Sequence, residues 1–197
     1  IHYPGITTAE KVVAKALKDS RKGRALSICT AYAKFLHVYG KLMPQKVVMK
    51  QWLKVTGVLG SADFQLIKNQ MSNIESIDIS GTSVTEIPNR TFSNKSNLKL
   101  VRLPEDVTII RYDAFNSCEI LESVTFGNQS VTAGKIKFPV TLRYIEYSAF
   151  LSCKLLTHID FSACTNLEYI GSSAFENLPN LKELLLPSIG NIRFDWN

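Results

Sequence analysis

The chain has no run of about 18 uninterrupted apolar residues, so nothing in its 197 residues reads as a membrane-crossing helix. It is short of metal ligands too. Its four cysteines, Cys29, Cys118, Cys153 and Cys164, form no CxxC pair, and none of its three histidines stands at metal spacing from them. No metal site or cofactor is expected from that set. No serine or cysteine lies in a recognisable nucleophile turn, and the reading is of a protein that is not an enzyme. An initiator methionine is also missing. The chain starts at Ile1 and is read as a mature or trimmed form from which a signal peptide has been removed.

What remains is an ordinary folded composition, 45% hydrophobic and 20% charged, in a chain long enough for one domain with a flank. The charge is uneven. Residues 1–54 carry eleven Lys or Arg against Glu10 and Asp19, a net +9, whereas the rest carries a net −3. "TTAEKVVAKALKDSRKG" and "RALSICTAYAKFLHVYGKL" have apolar residues at helical spacing and end at glycine, which predicts two helices in a basic flank over residues 1–50. Lys11, Lys15, Lys18 and Lys22 share one helical face. With no aromatic residue interleaved, the face reads as solvated, and no nucleic-acid partner is expected.

Beyond the flank the chain repeats itself. "IRYDAF" at 110–115, "IEYSAF" at 145–150 and "IGSSAF" at 170–175 are joined by a looser "IPNRTF" at 87–92. With Phe92, Phe115, Phe150 and Phe175 as origins, the positions five before and six, nine and eleven after are apolar in every copy. At the chain's composition, chance gives that about once in 10^7 trials. The phenylalanines are spaced by 23, 35 and 25 residues; the middle interval is a 23-residue unit with 12 extra, centred on "GNQSVTAGKIK" at 127–137. Val131 and Ile136 around Ala133-Gly134 predict that this insertion is a small hairpin.

Each unit contains a short alternating segment such as "LVRL", with Val101 and Leu103 on one side and Arg102 on the other, which predicts a strand with one buried face. Pro104, Pro139 and Pro187 follow it and end it, because proline cannot donate to a ladder. No unit covers its own apolar side, so neighbours must stack, with strands about 4.8 Å apart in one parallel ladder. Irregular turns carrying the Ile-x-x-x-x-Phe step are expected opposite.

The pattern IxxxAFxxCxxLxxVxLP in "IRYDAFNSCEILESVTF" (110–126) and "IEYSAFLSCKLLTHIDF" (145–161) resembles the BspA-type, or treponemal-type, leucine-rich repeat of bacterial surface proteins. The resemblance covers about residues 74–197. It extends more weakly to 53–82, which is similar to the opening unit of such proteins in gut Bacteroidetes, with "SADFQLIKNQM" as a helix between strands. Lys95 departs from it, standing where Cys118 and Cys153 stand, and so does Thr91, in the place of the alanine. The implied fold is an α/β repeat solenoid over 51–197: a right-handed coil of five to six turns with a short-stranded parallel ladder and an N-terminal helical flank. The implied setting is extracellular or the cell surface. The implied partner is a protein, either an extracellular-matrix protein such as fibronectin or another cell surface. A structural spacer within a larger surface protein is the alternative.

The ladder's outward residues are the candidate partner-binding surface: Trp52, Lys54, Ser76, Asp78, Leu100, Arg102, Ser123, Thr125, His158, Asp160, Glu183 and Leu185. The insertion adds Val131, Lys135 and Lys137. His158 and Asp160 lie on one side of a strand but on an open ladder, which argues against a catalytic pair. Cys118 and Cys153 occupy one place in neighbouring coils, within disulfide reach; the reading favours free thiols acting as small buried wedges.

Overall fold

The computed structural model describes residues 52–188 and 192–195. The expected basic helical flank at 1–50 lies outside the described residues. The chain divides into two units, of which one comprises residues 50–58 and 67–197 and contains the repeats. Residues 59–66 belong to the other. They hold the start of α1 (Ser61–Gln70), where the Asp63 carboxylate accepts the Gly60 N–H at 2.9 Å and so caps the helix.

The repeat unit is a parallel β-solenoid of about six turns. Its front ladder has seven strands: β1 (Trp52–Gly57), β2 (Ser76–Thr82), β4 (Leu100–Leu103), β6 (Ser123–Phe126), β7 (Lys135–Lys137), β9 (His158–Asp160) and β11 (Glu183–Leu185), neighbours in that order and all parallel. The opposite wall is more regular than the expected irregular turns. It is a second parallel ladder of two-residue strands: β3 (Glu86–Ile87), β5 (Ile109–Ile110), β8 (Tyr144–Ile145), β10 (Tyr169–Ile170) and β12 (Arg193–Phe194). Two residues carry no alternation to read, which is why periodicity missed it.

The apolar columns lie between the ladders. Ile87, Ile110 and Ile145 are fully buried, as are Val101, Val124 and Ile159. The rings of Phe92, Phe115, Phe150 and Phe175 stack in one file, with centroids 5.0, 4.8 and 5.5 Å apart. The alanine before each ring is buried (Ala114, Ala149, Ala174), and its carbonyl accepts the N–H of the preceding coil's phenylalanine: Phe92 to Ala114, Phe115 to Ala149, Phe150 to Ala174, each at 2.8 Å. Only a small side chain fits between coils this close. Thr91 fits because its hydroxyl turns back onto the Pro88 carbonyl at 2.8 Å. Around each ring the backbone turns through a left-handed residue twice per coil, at Arg90, Asp113, Ser148 and Ser173 and again at Asn94, Ser117, Ser152 and Asn177. All are polar or charged and none is β-branched, as that conformation requires.

Cys118, Cys153 and Cys164 are free, buried thiols. Cys118 Sγ donates to the Phe92 carbonyl and Cys153 Sγ to that of Phe115, so each thiol ties its coil to the one before. Burial pushes the Cys118 and Cys164 thiols up to about 12, and Cys153 well above its ordinary value. Lys95, in the cysteine place one coil earlier, is equally buried. Its ammonium reaches the carbonyls of Lys68 and Met71, capping the end of α1 at 3.4 and 3.1 Å.

The expected hairpin at 127–137 is absent. Lys135–Lys137 form a further parallel rung of the front ladder, with Ile136 between Val124 and Ile159. Phe138 then stacks on Phe161 at 4.6 Å. On the rear wall β5 pairs directly with β8. The 12 extra residues therefore make a front rung with no rear half, and the front ladder gains one strand that the rear lacks.

Candidate functional site

The front ladder presents two outward rows. Register places Trp52, Ser76, Leu100, Ser123, Lys135, His158 and Glu183 in one, and Lys54, Asp78, Arg102, Thr125, Lys137, Asp160 and Leu185 in the other. The side chain of Trp52 lies outside the description. Lys54, Lys135, Lys137, Glu183 and Leu185 are exposed, whereas Ser76, Leu100, Arg102, His158 and Asp160 are half-buried.

Three residues expected to be open are not. Asp78 is buried, and its carboxylate takes the N–H and hydroxyl of Ser80 and pairs with Lys54 at 3.3 Å. Burial pushes the Asp78 carboxyl up, but the Ser80 hydrogen bonds and Lys54 together outweigh it and hold the group below its ordinary value. Ser123 and Thr125 are 0% and 3% exposed. They lie under the chain itself. After Phe126 the backbone must return to the start of a parallel rung, and the interior is filled by Val124, Phe126, Ile136 and Phe138. Residues 127–134 therefore run back across the outer surface as a strap, with Asn128 and Ser130 to Ala133 exposed. Left-handed Gly127 and Gly134 turn the chain at its two ends, with φ of +54° and +74°. Gly127 N–H donates to Leu103 and Gly134 N–H to Glu122. Arg102 holds the strap from below through the Gln129 carbonyl at 3.3 Å. Val131 stands exposed at its crest.

His158 and Asp160 are not joined. The imidazole Nδ1 lies 2.7 Å from the Thr157 hydroxyl and Nε2 4.0 Å from Glu183, while Asp160 accepts the N–H of Ser162. Among the described residues no group of His, Cys, Asp or Glu is arranged to hold a metal ion, and no helix is long and apolar enough to cross a membrane.

Sequence reasoning overlooked the rear side. Arg111 forks between Glu86 and Glu146, two coils apart, with 2.7 Å contacts to each. Tyr112 and Tyr147 stack in parallel at 5.0 Å under Arg90, and Tyr144 and Tyr169 donate to Glu168 and Asp195. The signal was present, since tyrosine recurs one residue before the rear isoleucine and two after it.

A family model described as the BspA type leucine rich repeat region matches residues 65–134 and 128–195, with six copies of the repeat. A search of the curated proteins found none that matches.

Proposed function

The chain belongs to the BspA-type leucine-rich repeat family, and from that membership we propose that it is a secreted or cell-surface module binding other proteins through its front ladder. Proteins of this family are commonly surface-associated, and leucine-rich repeats generally mediate protein–protein binding on typically non-catalytic scaffolds. The finer reading is adhesion, with a matrix protein of the fibronectin kind or another cell surface as partner.

The observation that carries it is the pair of outward rows. They make a register-matched surface, covered at Ser123 and Thr125 by residues 127–134, on which Leu100 and Leu185 stand among Lys54, Lys135, Lys137, Asp160 and Glu183. Apolar anchors surrounded by charge are what a protein contact uses, because buried side chains of the anchor kind supply most of its energy. The ladder is also held rigidly by two sheets, so binding orders little backbone.

Immobilised fibronectin and whole bacterial or host cells, probed with the full chain, test this reading. Capture is expected, and replacing Trp52, Leu100 and Leu185 with serine is expected to abolish it. Capture that survives all three replacements removes the front ladder as the contact. No capture on any surface favours the spacer role instead.

A further inference from the structure

Among the described residues, Thr125 Oγ1 is a buried side-chain oxygen without a hydrogen-bond partner. Native interiors rarely leave such a group unpaired, because its lost hydration is not replaced. It points outward from the ladder, beneath the strap, and its row neighbours are both cations: Arg102 on β4 and Lys137 on β7. Lys135 and Lys137 are exposed and, among the described residues, form no ion pair. A donor hydroxyl between a guanidinium and an ammonium, on rungs about 4.8 Å apart, is a set of groups for an anionic oxygen.

The strap over this strip is tied across its middle by few bonds, most of them local turns. Gln129 carries its central attachments: Gln129 N–H to the Phe126 carbonyl at 3.1 Å, Arg102 Nη1 to the Gln129 carbonyl at 3.3 Å, and Phe126 N–H to Gln129 Oε1 at 3.4 Å. The last two are long for hydrogen bonds. Between Ser130 and Ala133 the strap's tie to the ladder is the Thr132 carbonyl, which accepts the Lys135 N–H at 3.1 Å, and left-handed Gly127 and Gly134 turn the chain at its two ends.

We propose that the strap is a lid over a carboxylate site, and that an acidic polypeptide displaces its centre and sets a carboxylate on Thr125 Oγ1 between Arg102 and Lys137. The proposal rests on the reading of the front ladder as a protein-binding face and names the chemistry of its partner. Arg102 exchanges the neutral Gln129 carbonyl for a charged acceptor, the stronger of the two bonds.

The test uses the full chain and a labelled hexaglutamate peptide, with hexaglutamine as control, read by fluorescence anisotropy. Hexaglutamate is expected to bind and hexaglutamine not. Thr125→Val keeps shape and removes only the hydroxyl, so it is expected to weaken binding about tenfold while leaving the thermal midpoint unchanged or higher. Arg102→Gln and Lys137→Gln are expected to weaken binding similarly. Changing Lys11, Lys15, Lys18 and Lys22 to glutamine is expected to leave the effect of Thr125→Val intact. No hexaglutamate binding overturns the proposal, as does binding indifferent to Thr125→Val or lost only in the flank variant. A sulfated glycan that binds in a Thr125-dependent way where hexaglutamate does not would overturn the choice of polypeptide. If the serine replacements at Leu100 and Leu185 abolish capture on fibronectin or cells while hexaglutamate binding ignores Thr125, the ladder reading stands and the lid falls.

Discussion

Removing residues 127–138 should disturb this protein less than trimming one ring within them. Phe126 and Phe138 occupy the same place in successive front rungs, with Val124 beside Ile136 and Phe138 stacked on Phe161. Cutting Gly127–Phe138 joins "SVTF" to "PVTLRYI" and brings the Phe115-to-Phe150 spacing back to 23 residues. The rear wall needs no change, because β5 already pairs with β8. At the front, β6 takes β9 as its neighbour, so Val124 meets Ile159 and Phe126 meets Phe161. The rung's apolar burial and its ordering cost leave together, and the net change is expected to be within about 2 kcal/mol. Phe138→Ala keeps the ordering cost and loses the ring. That ring is fully buried and packs against those of Phe126, Phe150, Phe161 and Phe175. The expected loss is about 3–5 kcal/mol. Urea unfolding followed by circular dichroism compares the two, with a slightly smaller denaturant slope for the shorter chain. A deletion variant that unfolds earlier than Phe138→Ala, or without a cooperative transition, would refute the equivalence of the two rungs.

Three further outcomes are expected. Phe115→Ala, in the middle of the ring file, should cost about 3–5 kcal/mol in urea unfolding, and Phe175→Ala, half-buried on the last ring of the file, about half as much. Stability should fall as pH rises above about 9, because Cys118, Cys153 and Cys164 stay protonated in the fold while the unfolded thiols ionise from their ordinary value of 9.0. Each thiol whose folded value is raised contributes fully below that pH and loses about 1.4 kcal/mol per unit above it. Unfolding midpoints measured from pH 8 to 11 should flatten stepwise as the cysteines are replaced by alanine, and a wild-type curve that does not fall refutes the assignment. Arg111→Gln breaks the fork to Glu86 and Glu146, which is partly exposed, so a loss of about 1 kcal/mol that shrinks in high salt is expected from thermal melts at two ionic strengths.

The candidate site was legible as a set of alternating positions and not as an accessible surface. Arg102, Thr125 and Asp160 follow from period-2 alternation, and register does place them in one row, which Lys137, expected in a hairpin, joins only in the fold. Whether each reaches solvent depends on what lies above it. The strap that buries Ser123 and Thr125 is at most eleven residues from them in sequence, yet nothing in "GNQSVTAG" says on which side of the ladder it runs. "KIK" alternates identically whether it is one arm of a hairpin or a parallel rung.

The repeat, the apolar columns and the parallel stacking follow from the residue pattern alone, because an apolar side chain recurring at fixed intervals can be buried only by its counterpart in the next coil. The capping of α1 by Lys95, the direct pairing of β5 with β8 and the path of residues 127–134 were decided by tertiary structure alone. Each depends on which groups are left facing one another once the columns have closed: a helix end needing a donor, a rear wall already closed by the pairing of β5 with β8, and an interior already full, which sends the extra chain across the outside.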